Sequence, residues 1–179
     1  EAIEKERRVL GEDHPYALET MNSLAVLYDH QRRYAEATTL QVEILERRRR
    51  KLGEDHPETL ASMNNLATLY SVAGRHAEAD AMLRRVLEKQ RRLEGDRHPD
   101  TVNTLYNLGC NAALSQDRKA ALDWLRQAVE GGWEYADQMA KDEDLASLRG
   151  AFPFDALVAK ARANAEKKAP SPPVLGAKP

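Results

Sequence analysis

A 42-residue period runs through most of this chain and leaves few architectures open to it. Leu10-Gly11-Glu12-Asp13-His14-Pro15 returns as Leu52-Gly53-Glu54-Asp55-His56-Pro57, then in worn form as Glu94-Gly95-Asp96-Arg97-His98-Pro99. Behind each His-Pro stands a matching run: Met21-Asn22-Ser23-Leu24-Ala25, Met63-Asn64-Asn65-Leu66-Ala67 and Leu105-Tyr106-Asn107-Leu108-Gly109. Ala37, Ala79 and Ala121 fall in step further on. The match holds at many positions over three periods.

Within each unit the apolar spacing is helical. Leu18, Met21, Leu24, Ala25 and Tyr28 mark a first helix, copied as Leu60, Met63, Leu66, Ala67 and Tyr70. Tyr34, Ala37, Leu40, Ile44 and Leu45 mark a second, whose next copy carries Ala79, Met82, Leu83, Val86 and Leu87. Two helices per unit, repeated, make a stack of hairpins. Gly11, Gly53 and Gly95 are expected just past each second helix as left-handed caps. Pro15, Pro57 and Pro99 suit the first position of the next helix, where the missing N–H loses nothing. Ala25, Ala67 and Gly109, with Ala37, Ala79 and Ala121, are placed where paired helices cross, because larger side chains would force the backbones apart.

Composition agrees with a soluble, charge-faced helical protein: 42% hydrophobic, 31% charged and 6% aromatic. Lys plus Arg is 27 against 29 for Asp plus Glu, so the basic excess of a nucleic-acid binder is missing. No apolar run approaches the ~20 residues that cross a bilayer, and no membrane contact is expected from this segment. Cys110 is the single cysteine, which excludes an intrachain disulfide and a CxxC site. A chain that opens on Glu1 without a signal stretch reads as a mature form or a fragment. These features together point to the cytoplasm, and 18 arginines against 9 lysines agree with a GC-rich bacterial source.

The unit L-G-E-D-H-P-x-x-x-x-x-M-N-N-L-A-x-L-Y, followed by R-x-A-E-A, resembles a tetratricopeptide repeat of the 42-residue kind found in kinesin light chains and many bacterial proteins. The resemblance covers residues 1 to 130 and is strongest in the first two full units. It implies an all-α fold, a right-handed superhelix (an α-solenoid) of antiparallel helix pairs. The full repeats are expected at 11–52, 53–94 and 95–130. Residues 1–10 align with 43–52 and so read as the end of a truncated repeat. From Gly131 the period breaks, and Gly131-Gly132-Trp133 through Pro153-Phe154 resembles a segment that follows such repeats in bacterial Ser/Thr protein kinases. Physically it reads as a helical cap over 131–168, since the last apolar face of an array must be covered. Trp133, Leu145, Leu148, Phe152, Phe154, Leu157 and Val158 are the residues expected to cover it, with a final helix over 155–168. The prolines at 170, 172, 173 and 179 mark 169–179 as a disordered, Pro-rich tail.

Nothing in the sequence displays catalytic chemistry. It holds no GxxxxGK[ST], GxSxG or HExxH, and no kinase HRD or DFG, so the segment is read as no enzyme, without cofactor or metal. The His-Pro histidines lie in separate turns, too far apart to share one ion, and suit capping. Asp142-Glu143-Asp144 lacks the EF-hand Gly and Glu, since Ser147 and Pro153 stand there; a helix N-cap explains it more simply. In the basic run Arg47-Arg48-Arg49-Arg50-Lys51, two arginines belong to a ladder of pairs: Arg7 and Arg8, Arg49 and Arg50, Arg91 and Arg92. Glu4, Glu46 and Glu88 stand four residues before its second members, and Glu12, Asp13, Glu54, Asp55 and Asp96 follow. The ladder is self-neutralised. Cys110 reads as a small apolar helix residue.

Function is expected on the concave face, lined mainly by the first helices. Its candidates are Glu19, Asn22, Ser23, Val26 and Asp29, then Asn64, Asn65, Thr68 and Ser71, then Asn103, Tyr106, Asn107 and Cys110. Asn22, Asn64, Asn65 and Asn107 form a row of amides, each able to donate and accept. In the family, asparagines at such places line a peptide groove; an interhelical bond is the plainer alternative. A chaperone-tail clamp would need basic residues at Asn22, Val26, Asn65, Asn103 or Asn107, and none is basic. The expected role is therefore a protein-interaction scaffold that takes a protein or peptide partner. Self-association through the open N-terminal repeat, or service as the recruiting arm of a kinase, are further readings.

Overall fold

The computed structural model describes residues 14–168, and among them every regular element is helical. The expectations for residues 1–10 and 169–179 lie outside that range. Helices α1 (Pro15–His30) and α2 (Tyr34–Leu52) form the first hairpin. The next two are α3 (Pro57–Val72) with α4 (His76–Leu93), and α5 (Pro99–Leu114) with α6 (Arg118–Gly131). After them come α7 (Ala136–Lys141), a 3-10 turn (Glu143–Leu148) and α8 (Phe152–Lys168). Each of the six hairpin helices packs on its neighbours in the chain, and α3 also packs on α5. The hairpins therefore stack as an α-solenoid with the first helices side by side.

The His-Pro turns work as N-caps. Nδ1 of His14, His56 and His98 accepts the N–H of Tyr16, Glu58 and Asp100 at 3.3, 3.2 and 3.3 Å. Each proline opens the helix at the position where its missing donor costs nothing. Of the glycines past the second helices, Gly11 lies outside the described residues, Gly95 has the expected positive φ (89°) and donates its N–H to Arg91 O at 3.2 Å, and Gly53 departs from expectation. Gly53 has φ 89° and ψ 170°, an extended positive-φ conformation that is essentially glycine's own, not the left-handed helical cap. The chain must leave α2 and turn straight into an extended approach to His56, and that conformation makes both moves at one residue.

The small residues are where helices meet. Ala25, Ala37, Ala67, Ala79 and Ala121 are buried. At Gly109 an added Cβ would stand 2.7 Å from Cγ and Cδ2 of Leu125. Hairpin turns between first and second helices rest on Arg33 and Arg75, which lie 4.2 and 3.8 Å over the rings of Tyr28 and Tyr70. Glu36 and Glu78 hold those arginines in place.

Two expectations about the cap need correction. Phe152 covers nothing: it is 85% exposed, while Phe154 is 2% exposed. Residues two apart on a helix face nearly opposite ways, so only one of the pair can enter the core. The last helix also begins three residues earlier than expected, at Phe152, because Pro153 sits in its first turn where a helix tolerates it. Trp133, Leu145, Leu148, Phe154 and Leu157 are buried, and Val158 packs against them. One continuous cluster of buried residues runs from Ala67 and Ala79 of the second hairpin through the third to Ala161 of α8. The cap and the last two hairpins thus share a core.

Among the described arginines of this run and ladder, Arg47 keeps an i,i+4 glutamate, Glu43, at 2.6 Å, while Arg92 takes a turn acid in place of the expected Glu88. Arg92 meets Asp55 at 3.2 Å and Arg91 meets Asp96 at 2.7 Å. Arg49 meets Glu54 at 3.1 Å, and Arg48 donates to Ser62 at 2.8 Å. The turn acids reach back over the helix ends, where their charge also faces the donors of the next helix.

Candidate peptide-binding groove

The face formed by α1, α3 and α5 brings the sequence candidates together, though not all in one role. Glu19, Ser23, Val26, Asn65 and Asn103 are exposed, while Asn22, Asp29, Thr68 and Asn107 are half-buried. Asn64, Ser71, Tyr106 and Cys110 are buried. Only 4% of Asn64 is exposed, and its amide donates to Thr104 Oγ1 at 2.9 Å while its oxygen accepts from Asn107 at 3.0 Å. Ser71 donates to Asn111 at 2.8 Å. These side chains stitch the second hairpin to the third and cannot also hold a ligand.

The same stitch joins the first hairpin to the second. Asn65 Nδ2 donates to Asn22 Oδ1 at 3.2 Å, and so does Gln41 Nε2 at 2.7 Å. The asparagine row is thus first an inter-repeat ladder, and it leaves the exposed amides of Asn65 and Asn103 facing outward. Gln41 was not a sequence candidate, since it lies on a second helix. It lines a cavity of about 110 Å³ with Ala25, Val26, Asp29, Asn65 and Leu69.

The groove is closed at one end by the cap. The 3-10 turn packs on α5, and Tyr106 donates to Asp142 Oδ2 at 2.7 Å. Trp133 stacks on the Tyr106 ring with centroids 4.0 Å apart and planes 6° from parallel.

A family model for the tetratricopeptide repeat matches residues 30–91 and 72–131, more than half the chain. The chain belongs to the tetratricopeptide-repeat family. Repeats of this family serve in general as non-catalytic scaffolds for protein–protein interaction. This repeat protein is similar in structure to BtubC (BKLC) from P. vanneervenii, with a TM-score of 0.62 and 20% identity. The match covers 84% of this chain but 61% of BtubC, less than two thirds of its length. It is also similar to a kinesin light chain-like protein of Podospora anserina with nearly identical TPR-like repeats, and to a point variant of that protein. Those two give TM-scores of 0.64 and 0.65 at 21% identity, over 92% of this chain and 82% of theirs. At such identities the likeness is one of fold. No curated protein sequence matches.

Two groups in the described part of the repeat protein bring three potential metal ligands within 4.8 Å of one another: Glu94, His98 and Asp100, and Cys110, Asp142 and Asp144. Both are already engaged. His98 Nδ1 caps α5, while Asp142 caps the 3-10 turn through Oδ1 and accepts from Tyr106 through Oδ2. Burial, with Asp142 and Asp144 nearby, pushes the Cys110 thiol well above its usual range, so it stays protonated. No described helix is long and apolar enough to cross a membrane.

Asp144 is the titrating group of this region. Burial, then the charges of Asp142, Asp29 and Glu143, raise its carboxyl from 3.8 to about 6. Asp29 belongs to α1, so the acids of the cap and of the first hairpin feel each other across the groove. A carboxyl held above its unfolded value lets the folded state keep the proton longer. The resulting penalty is absent below about pH 4 and full above about pH 6. Asp144→Asn is therefore expected to raise the melting midpoint at pH 7.5 and leave it near wild type at pH 4. The gain is on the order of 1 kcal/mol, reduced for screening by solvent. Thermal melts at the two pH values measure it, and an equal gain at both would reject the electrostatic cause.

Proposed function

We propose that this protein binds an extended peptide or partner helix of another protein along the face of α1, α3 and α5. The binding unit is the three repeats at 11–52, 53–94 and 95–130, closed by the cap over 131–168. The observation that carries the reading is Val26, an apolar side chain 44% exposed on that face and sharing a cavity with the exposed amide of Asn65. An apolar contact flanked by groups that donate and accept suits a peptide, whose backbone needs both. Asn64, Ser71 and Tyr106 then serve as the wall behind the contact residues.

Photo-crosslinking separates this reading from its rivals. A photoreactive residue at Val26 or Asn103 is expected to form adducts with partner proteins, and one at Arg126 on α6 is not. A yield from Arg126 equal to those from Val26 and Asn103 would move the site off this face. A second reading, the recruiting arm of a Ser/Thr protein kinase, is favoured by the resemblance of the Trp133-to-Phe154 segment. The coding sequence upstream of Glu1 tests it: a kinase catalytic domain there supports it, and further repeats alone reject it.

A further inference from the structure

Resting on that groove reading, we infer that the pocket between α1 and α3 receives the cationic side chain of a lysine or arginine carried by the bound peptide. The repeat register singles out the residue responsible. Gln41 stands where the next repeats carry Leu83 and Leu125, both fully buried. A position that is apolar core in two copies is polar in the third, and Gln41 is itself only 2% exposed.

One N–H of its amide donates to Asn22 Oδ1. Its Oε1 is buried and has no hydrogen-bond partner, which is uncommon for a buried polar atom. Asn65 has likewise turned its NH2 toward Asn22, which leaves its own oxygen as an acceptor. Asp29 adds a carboxylate to the same cavity. The polar lining therefore carries a net negative charge from Asp29 and an unpartnered acceptor in Gln41 Oε1, beside Thr68, whose hydroxyl donates to Asn64 O, while one N–H of each amide turns to Asn22.

A cation answers that charge, and of the side chains that donate without accepting, the ammonium and the guanidinium stay charged at neutral pH, whereas the indole is neutral and leaves Asp29 uncompensated. Ala25, Val26 and Leu69 form the apolar part of the wall, which suits the methylene stem below the charge. A cavity of about 110 Å³ is below the size of ordinary small-molecule sites, at roughly 300 Å³ and above, and fits one side chain. Asp144 across the groove adds to the field that would draw a cation in.

A positional peptide library tests this on the described fold. Nine-residue peptides with a fixed central residue (lysine, arginine, norleucine or glutamate) and random flanks are captured on the immobilised chain. Lysine and arginine are expected to exceed norleucine by about tenfold, a preference that shrinks at high salt. Gln41→Leu, which restores the residue of the other repeats and should fold well, is expected to remove the preference, as is Asp29→Asn. Capture through the groove without preference for a cation would overturn the inference and leave the groove reading standing. It would mean that water serves Gln41 Oε1. Loss of crosslinks from Val26 would overturn both.

Discussion

Trp133→Ala is expected to lower the stability of the array by about 3–5 kcal/mol, the range for truncating a buried aromatic. The indole is 5% exposed, stacks on Tyr106 and meets the edge of Tyr135 at a centroid distance of 5.3 Å. Its N–H has no hydrogen-bond partner, so the loss is one of packing and not of a bond. Trp133→Phe keeps a ring against Tyr106 and is expected to cost less than half as much. Tyr106 also holds the 3-10 turn through Asp142, so the damage spreads to the groove end of the cap. Urea unfolding followed by circular dichroism measures both variants. Because buried residues from the second hairpin to α8 form one cluster, Trp133→Ala should shift the main transition and not merely release a terminal segment. A shift of under 1 kcal/mol for alanine would show that the cap is an appendage with little hold on the repeats.

The repeat architecture was legible because its signals are local. Period, His-Pro caps and small crossing residues each answer to a backbone constraint that acts within a few positions. What the sequence hid was which side of a first helix meets the next repeat. Asn64 and Asn65 are neighbours, yet a 100° step along the helix buries one between hairpins and exposes the other. Their shared chemistry does not distinguish them, and only the packing of α3 on α5 separates them. Gln41 was visible in principle, as the one polar member of the register set Gln41, Leu83 and Leu125. Its place on a second helix sets it apart from the first helices, which line the concave face. Arg92 goes to Asp55 and not to Glu88 for a similar reason: a partner supplied by chain reversal competes with the i,i+4 partner, and spacing alone does not rank them.

Ala79→Leu in the middle repeat is expected to cost about 3 kcal/mol or more, at the upper end of overpacking penalties. Ala79 is fully buried at the start of α4, in one cluster with Ala67 of α3 and Leu83, so three added carbons have no free volume to enter. Nothing offsets them, because leucine gains no helix propensity over alanine. Gly109→Ala provides the calibrating case. Its new Cβ would press on Leu125 at 2.7 Å, at about 1–3 kcal/mol, while glycine-to-alanine in a helix returns about 1 kcal/mol. The net loss should therefore be smaller than at Ala79 and lie between zero and about 2 kcal/mol. Measured side by side in urea, the two variants test whether crossing sites set the helix separation in every hairpin. If Ala79→Leu unfolds at the wild-type midpoint, the α3–α4 crossing has slack, and the alanines at this register answer to something other than close approach.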